Sequence, residues 1–372
     1  MGALLRRATA LVITLEGAAL HAEAFLVRRR SPLSPMSVSL LLAFAAPRPA
    51  ADAFVGVRDP AERAEVGAEL LRLLDQGLLV AEGSPAAEED AAYARAWRWG
   101  ALAGYYHFGI KDTPYQPPAV VHAYLTQQAA TDPAPPLYTP NPPGALHLPA
   151  PALTPAQLAL LLGRRSTRAF AEAALPLQAL ADCLFAGLAI VGFGESGAPG
   201  EAALPLTPTP SGGARNPFEA YVVARAVEGL APGVYHYAGV DQSLARVGSA
   251  GPPPPLEQLL GGQAWFAGAG AVVLLVARFE RCMWKYPHAT GFRVVLLEAG
   301  HIAQNLLLAA TAHGLAAAPT CALSDRAVET LLGLDRVREA AVHAVALGVR
   351  GGPPSPADLA AVRPNPSLRL PR

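Results

Sequence analysis

Hydrophobic and polar positions divide the chain into stretches with different rhythms. In the first 85 residues, "LVITLEG" and "LHAEAFLV" alternate on either side of Gly17, which predicts two strands. "SPMSVSLLLAF" predicts a helix capped by Ser34 with Pro35 in its first turn. "DPAERAEVGAELLRLLDQG" predicts a second, opened by Asp59 and Pro60 and stopped at Gly77. "LLVAEG" then returns to a strand. Strands, helices and a short wing together predict a small winged-helix-like module over residues 1–85. Residues 86–151 read as a connector. There "AAYARAWRWGALAGYYHFG" predicts one helix whose aromatics pack on a neighbour, with His107 a packing residue, followed by a Pro- and Gly-rich extended linker.

The third stretch, residues 152–352, has a denser pattern. Thr154 and Pro155 start a helix through "AQLALLLGRR", and a second spans residues 177–190. "FEAYVVARAV" alternates as a strand, and "GVYHYAGVDQSLARVG" predicts a hairpin turning at residues 239–242. "AVVLLVARF" and "AAVHAVALGV" read as buried strands, with the short strand "AAAPT" and the helix "DRAVETLLGL" ahead of the second. "FRVVLLEAGHIAQNLLLAATAHG" predicts a long helix ended by Gly314. Helices and strands alternate irregularly, so the expectation is an α+β domain with a mixed sheet and packed helices. Residues 353–372 read as a C-terminal tail.

Composition narrows the function classes. Acidic and basic residues balance at 29 each, which gives no global drive toward nucleic acid or an anionic membrane. The acids Glu62, Glu65 and Glu69 also offset any basic face on the N-terminal module, contrary to what a DNA reader needs. That module therefore reads as structural or dimerising, or as a peptide binder that uses a strand edge. The three cysteines, Cys183, Cys282 and Cys321, form no paired motif and suit a reducing cytoplasm. No apolar run approaches the ~18 residues of a membrane span, the best candidate being the strand-length run 267–277.

Several strings carry candidate chemistry. "GFGESG", residues 192–197, has the spelling of a dinucleotide fingerprint, but it follows a helix and enters a Pro-rich loop, so it reads as chance. Glu298 and His301 have the spacing of a carboxylate-bridged iron pair without a second copy, so no metal site is expected. Glu298, His301, Gln304 and Asn305 fall within a ~120° arc of an otherwise apolar helix. That polar seam faces an internal hydrogen-bond network, a cofactor edge or a partner subunit. "RRSTRAF" offers Arg164 and Arg168 as forks for phosphate and Ser166 as a hydroxyl, against the default of a solvated basic patch. "TPTPSGGARNPFEAY" is a Gly-rich turn carrying Ser211 and Asn216 that would let a flat ligand approach the backbone. Arg350 follows the last strand. Only two lysines occur, Lys111 and Lys285, and Lys285 stands directly before Tyr286.

The ordered set "RRSTRAF", "PSGGARNP", "GVYHY", "KY", "GFRVVLLEAGHIAQNLLLAA", "HGLAAAPT" and "ALGVR" resembles the nitroreductase-like flavoprotein superfamily. Within it, the set is similar to the SagB-type peptide dehydrogenases, which oxidise azolines to azoles in ribosomally made peptides. The resemblance spans roughly residues 155–350. It implies FMN as cofactor, held by Arg164, Arg165, Ser166 and Arg168, by Pro210, Ser211, Gly212 and Asn216, and by Gln304 and Arg350. It implies a homodimer with the flavin at the subunit interface, a precursor peptide as substrate and a cyclodehydratase as partner. It also implies a catalytic pair, Lys285 and Tyr286. Tyrosine is ordinarily a weak base, and a nearby ammonium favours its phenolate. Adjacent residues on a helix diverge, so the pair needs a turn, for which Pro287 and Gly291 provide. Cys321 stands where the family often has glycine beside the flavin, and His288 and Ala289 depart from the usual residues after the pair. The alternatives are an NAD(P)H-dependent nitroreductase and a flavin-bearing scaffold that delivers a peptide.

Overall fold

The computed structural model describes residues 3–139, 144–146, 148–195, 203–248, 251–352, 358 and 365. The chain opens with β1 (Leu4–Arg7), β2 (Leu11–Glu16), β3 (Ala19–Ala24), β4 (Arg29–Leu33), α1 (Pro35–Ala43), β5 (Arg48–Pro49), α2 (Pro60–Asp75) and β6 (Leu79–Ala81). β1 is the centre of a small sheet between β5 and β6, and β2, β3 and β4 form a three-stranded wing. Both helices start as their sequences dictate. The Ser34 hydroxyl accepts from the Ser37 amide in a capping box, and the Asp59 carboxylate accepts from the Ala61 amide. Leu40, Leu41, Phe44, Leu70, Leu73 and Leu78 form the core of this part.

The segment predicted as one helix and a linker is three helices: α3 (Pro85–Ala96), α4 (Gly100–Gly109) and α5 (Pro118–Thr131). A continuous helix would point Trp97 and Trp99 some 200° apart at 100° per residue. The break at residues 97–99, with Gly100 at φ +73°, lets both indoles enter one core. There they meet Phe279 at 5.6 and 5.5 Å. None of α5 is buried. The second lysine sits in this region too, since Lys111 is buried and ion-paired with Glu329.

The remaining elements are α6 (Pro155–Gly163), α7 (Leu177–Leu188), β7 (Gly192–Gly194), β8 (Leu204–Leu206), β9 (Phe218–Ala224), β10 (Gly233–Ala238), β11 (Ser243–Val247), α8 (Leu256–Leu259), β12 (Ala271–Arg278), α9 (Phe279–Lys285), α10 (Thr290–Ala312), β13 (Ala316–Thr320), α11 (Asp325–Leu332) and β14 (Glu339–Gly348). The main sheet runs β11-β10-β9-β12-β14-β13, and every pairing in it is antiparallel among the described residues. The α+β class stands, but the expectation of a mixed sheet is corrected. That expectation came from the irregular alternation of helices and strands. The eight-residue α11 instead turns the chain back, and β13 and β14 pair antiparallel.

α10 crosses the sheet and packs on α7, β13 and β14, burying Val295, Ile302, Leu306 and Leu307. It is the one described helix long and apolar enough to cross a bilayer, longer than the run noted in the sequence. In the fold it is a core helix with Glu298 on its buried side. The tail predicted at 353–372 lies outside the described residues except for Asp358 and Asn365.

Candidate active site

β12 is buried along almost its whole length and runs directly into α9. Phe279, Cys282 and Met283 recur at helical spacing and anchor α9 on the core. Arg281 and Lys285, four residues apart, share its other face. The helix stops at Lys285. Tyr286 precedes Pro287, whose ring disfavours a helical backbone at the residue before it, and Tyr286 adopts φ −123°, ψ 77°. The break therefore falls inside the Lys-Tyr pair and turns both side chains toward Gly213. A Cβ placed on Gly213 would collide with the Tyr286 hydroxyl and lie 3.1 Å from Lys285 Nζ. Lys285 Nζ is 5.8 Å from the centre of the Tyr286 ring. From below, the Trp99 indole N–H donates to the Tyr286 carbonyl at 2.8 Å.

The loop facing this pair turns through a short 3-10 segment, Gly212–Ala214. Gly213, Ala214 and Asn216 all have positive φ, which L side chains rarely adopt, so the surroundings must hold the loop in place. They do so from three directions. The Glu298 carboxylate, from α10, accepts the Gly212 amide at 3.2 Å and also the Ser211 hydroxyl. The Ser211 hydroxyl in turn accepts the Asn216 amide at 2.9 Å, and the Asn216 side chain donates to the Pro205 carbonyl at 2.8 Å. From α9, Arg281 donates to the Asn216 carbonyl at 2.8 Å and pairs with Glu219, which also meets His236 at 2.8 Å. Burial raises the Glu298 carboxyl above the ordinary range, and the Ser211 and Gly212 bonds only partly offset this. Burial would raise Glu219 as well, but Arg281 and His236 outweigh it and hold that carboxyl low. A cavity of about 390 Å³ lies behind the loop, lined by Asn216, Glu219, His236, Arg281 and Glu298 among others.

The polar groups of Ser211, Gly212 and Asn216 thus serve the loop itself, and Pro210 is exposed at its start. What the loop presents outward is its strained backbone around Gly213 and Ala214. Arg281 and Trp99 are the site residues that the sequence reading missed, while Glu298 was placed in the polar seam without being tied to this loop. Arg281 was findable, standing one helical turn before Lys285. The seam read on α10 splits in two. Glu298 is buried and Asn305 bonds inward to the Ala186 carbonyl and Thr209, whereas His301 and Gln304 are exposed.

The basic segment 164–168 follows the end of α6. Arg164, Ser166 and Arg168 are half-buried, Arg165 is exposed, and the Thr167 amide bonds to the Ala317 carbonyl of β13 at 2.9 Å. Phe170 bridges to Arg350, whose guanidinium donates to the Leu315 carbonyl at 3.2 Å. Gly348 permits this close approach, since a Cβ there would sit 2.8 Å from the Phe170 ring. The segment already holds an oxyanion. Both oxygens of Asp358 accept the Arg168 amide at 3.1 Å, and the Arg168 guanidinium lies 3.4 Å away.

Within the chain these groups pack at different points along α10. The loop packs on Val294 and Glu298, while Gly163, beside Arg164, packs on Thr311 near the far end of α10. At 1.5 Å per residue, Glu298 and Thr311 are about 20 Å apart along the helix. Gln304 lies on the exposed face between them. Cys321 stands just past β13, its sulfur 3.4 Å from His343. His288 is exposed beside the Tyr286 ring. "GFGESG" places Gly192–Gly194 in β7, paired with β8, and its last two residues lie outside the described residues. Among the described residues no group of three or more His, Cys, Asp or Glu side chains is arranged to hold a metal ion.

Comparison with known proteins gives the same part of the chain a family. The nitroreductase family matches residues 161–349. The chain is 33% identical to a protein of Methanocaldococcus jannaschii that bears a nitroreductase name, over 46% of this chain and 82% of that one. It is 34% identical to the trifolitoxin-processing protein TfxB of Rhizobium leguminosarum bv. trifolii, over 36% of this chain and 37% of that one. It is 31% identical to the microcin B17-processing protein McbC of Escherichia coli, over 35% of this chain and 49% of that one. The match thus spans half or less of each peptide-processing relative.

Proposed function

The chain belongs to the nitroreductase family, and from that premise we propose that it is an FMN-dependent, SagB-type dehydrogenase that oxidises thiazoline or oxazoline rings to azoles in a ribosomally made peptide. The observation that carries this reading is the convergence of Lys285 and Tyr286 on the strained Gly213 loop. The likeness to two peptide-processing proteins supports the substrate class. The residues present fit the cofactor. The segment 164–168 accepts an oxyanion at Arg168, where Asp358 stands in for a phosphate, and Arg350 lies alongside. The outward backbone at Gly213 and Ala214 suits the edge of a flat ring.

The basic segment packs near Thr311 and the loop near Glu298, about 20 Å apart along α10. A homodimer would set the basic segment of one subunit against the loop and Lys-Tyr pair of the other. Leu161, Leu162 and Leu297 are exposed on α6 and α10, as such an interface needs. The N-terminal module would recognise the peptide along a strand edge, and a cyclodehydratase would supply the azoline in the cytoplasm.

Oxidation removes a proton and a hydride from adjacent ring atoms, and bound FMN would supply the hydride acceptor, returning electrons to oxygen. Tyr286 takes the proton at its phenolic oxygen, and the Lys285 ammonium holds the negative charge that the transfer requires. Trp99 and Pro287 fix the backbone that aims the pair. Glu298 and Arg281 keep the opposing loop from closing the space above Gly213. The test is direct. Flavin-loaded protein incubated with a synthetic thiazoline peptide should give a product lacking two hydrogens by mass spectrometry, and an unchanged peptide would refute the assignment. The relative with a nitroreductase name favours a second reading, an NAD(P)H-dependent nitroreductase. NADPH-driven turnover of a nitroarene, with the peptide untouched, would establish that instead.

A further inference from the structure

A cavity of about 330 Å³ opens beside α9, lined by Arg95, Arg98, Glu280, Met283, Trp284 and Arg338. Its charge is lopsided, with three guanidinium groups against one carboxylate. Glu280 leans toward Arg278 at 3.8 Å and Arg338 toward Asp335 at 3.8 Å. Among the described residues the guanidinium groups of Arg95 and Arg98 have no hydrogen-bond or ion-pair partner. Trp284 is 55% exposed there, and Arg215 stacks on its ring at 5.4 Å. The cavity is also coupled to the Lys-Tyr pair. Trp284 directly precedes Lys285. The Arg98 amide bonds to the Met283 sulfur at 3.3 Å, and the next residue, Trp99, holds the Tyr286 carbonyl.

We propose that this cavity binds an acidic side chain of the peptide being oxidised. The proposal rests on the reading of the chain as a peptide-modifying enzyme. Arginine forks match a carboxylate, and the volume suits one side chain with its flanking backbone. A residue two to four positions from the reacting ring would reach it, at about 3.4 Å per extended residue.

The experiment uses two labelled thiazoline peptides that differ only by Glu or Gln three residues from the ring, measured on the flavin-loaded full chain. Fluorescence anisotropy reads binding without turnover, so the charge preference is measured even if azoline oxidation fails. The Glu peptide should bind about three- to ten-fold more tightly, as two partly exposed ion pairs allow, and the preference should shrink at high salt. Its KM should be lower by the same factor, with kcat equal for the two peptides. The double variant Arg95→Gln/Arg98→Gln should lose the preference while keeping its flavin and its kcat. Equal binding of the two peptides to the wild type, or an undiminished preference in the double variant, overturns the proposal. So does competition by NADPH that disappears in the double variant while the peptide preference persists, since the cavity would then hold a dinucleotide phosphate.

Discussion

Lys111 and Lys285 are the only lysines in a chain that writes its other cations as arginine, and they have opposite surroundings. Lys111 is buried against Glu329, whereas Lys285 is exposed beside Gly213. Rarity in the sequence marks both positions, but only the fold separates a clasp from a candidate catalyst. Glu298 shows the reverse case. Its spacing to His301 had the spelling of an iron-ligand pair although no metal site was expected, and in the fold Glu298 is buried while His301, about 60° round α10, is exposed. Removing Glu298 leaves the Gly212 amide without a partner, a loss of about 1–3 kcal/mol in loop stability. Glu298→Ala should therefore weaken flavin binding about ten-fold, and Glu298→Gln, which keeps an acceptor, by less than about three-fold. Equilibrium titration with FMN measures both, and equal affinities across the three proteins would show that the loop does not depend on this carboxylate.

Elements with a cap, a clear period or a turn or stop signal were legible from the sequence: α1, α2, α6, α10 and the β10–β11 hairpin. Those without such signals were not. The seven residues of α9 are too few to show a period, and α5 is flanked by prolines and buries nothing. The break between α3 and α4 follows from where two tryptophans must pack, a tertiary demand invisible in local propensity. For the candidate site, the loop and the Lys-Tyr pair were readable as strings. Their meeting at Gly213 was not, since it depends on how α9 ends. Gly213→Ala tests that junction. The substitution strains a residue at φ +62° and drives a methyl into the Tyr286 hydroxyl. We expect kcat to fall about ten- to a hundred-fold with flavin occupancy unchanged, as small misplacements at a reacting centre do. Wild-type kcat in this variant would mean that the pair does not act across the loop.

The N-terminal half is joined to the sheet domain by an aromatic core. Trp97 and Trp99 from the connector meet Phe279 and Phe292, Phe108 packs on Trp97, and His107 is buried among them. Burial, with the nearby Lys111 and Arg336 charges, holds the His107 imidazole far below its ordinary value. The unfolded chain therefore takes up this proton first, and the stability conferred by neutral His107 is lost as pH falls below 6.5. Relative to His107→Leu, the wild type should lose about 1 kcal/mol between pH 6.5 and about 5.5 in denaturant titrations. Parallel curves for the two proteins would contradict the buried-neutral assignment. The division of the site between subunits has its own test. Mixing Arg164→Ala/Arg168→Ala protein with Lys285→Ala/Tyr286→Phe protein, each inactive alone, should restore about a quarter of wild-type activity, because half of randomly exchanged dimers carry one intact site. No recovery after subunit exchange would place the whole site within one chain.

The account stands or falls on what Lys285 and Tyr286 do while a flavin is in place. Flavin-loaded protein should be mixed anaerobically with a thiazoline peptide and the yellow flavin band followed through a single turnover. The wild type should bleach as one azole forms per flavin, and Lys285→Ala and Tyr286→Phe should stay yellow with peptide bound. Bleaching at the wild-type rate in both variants, or no bleaching in the wild type, would contradict it.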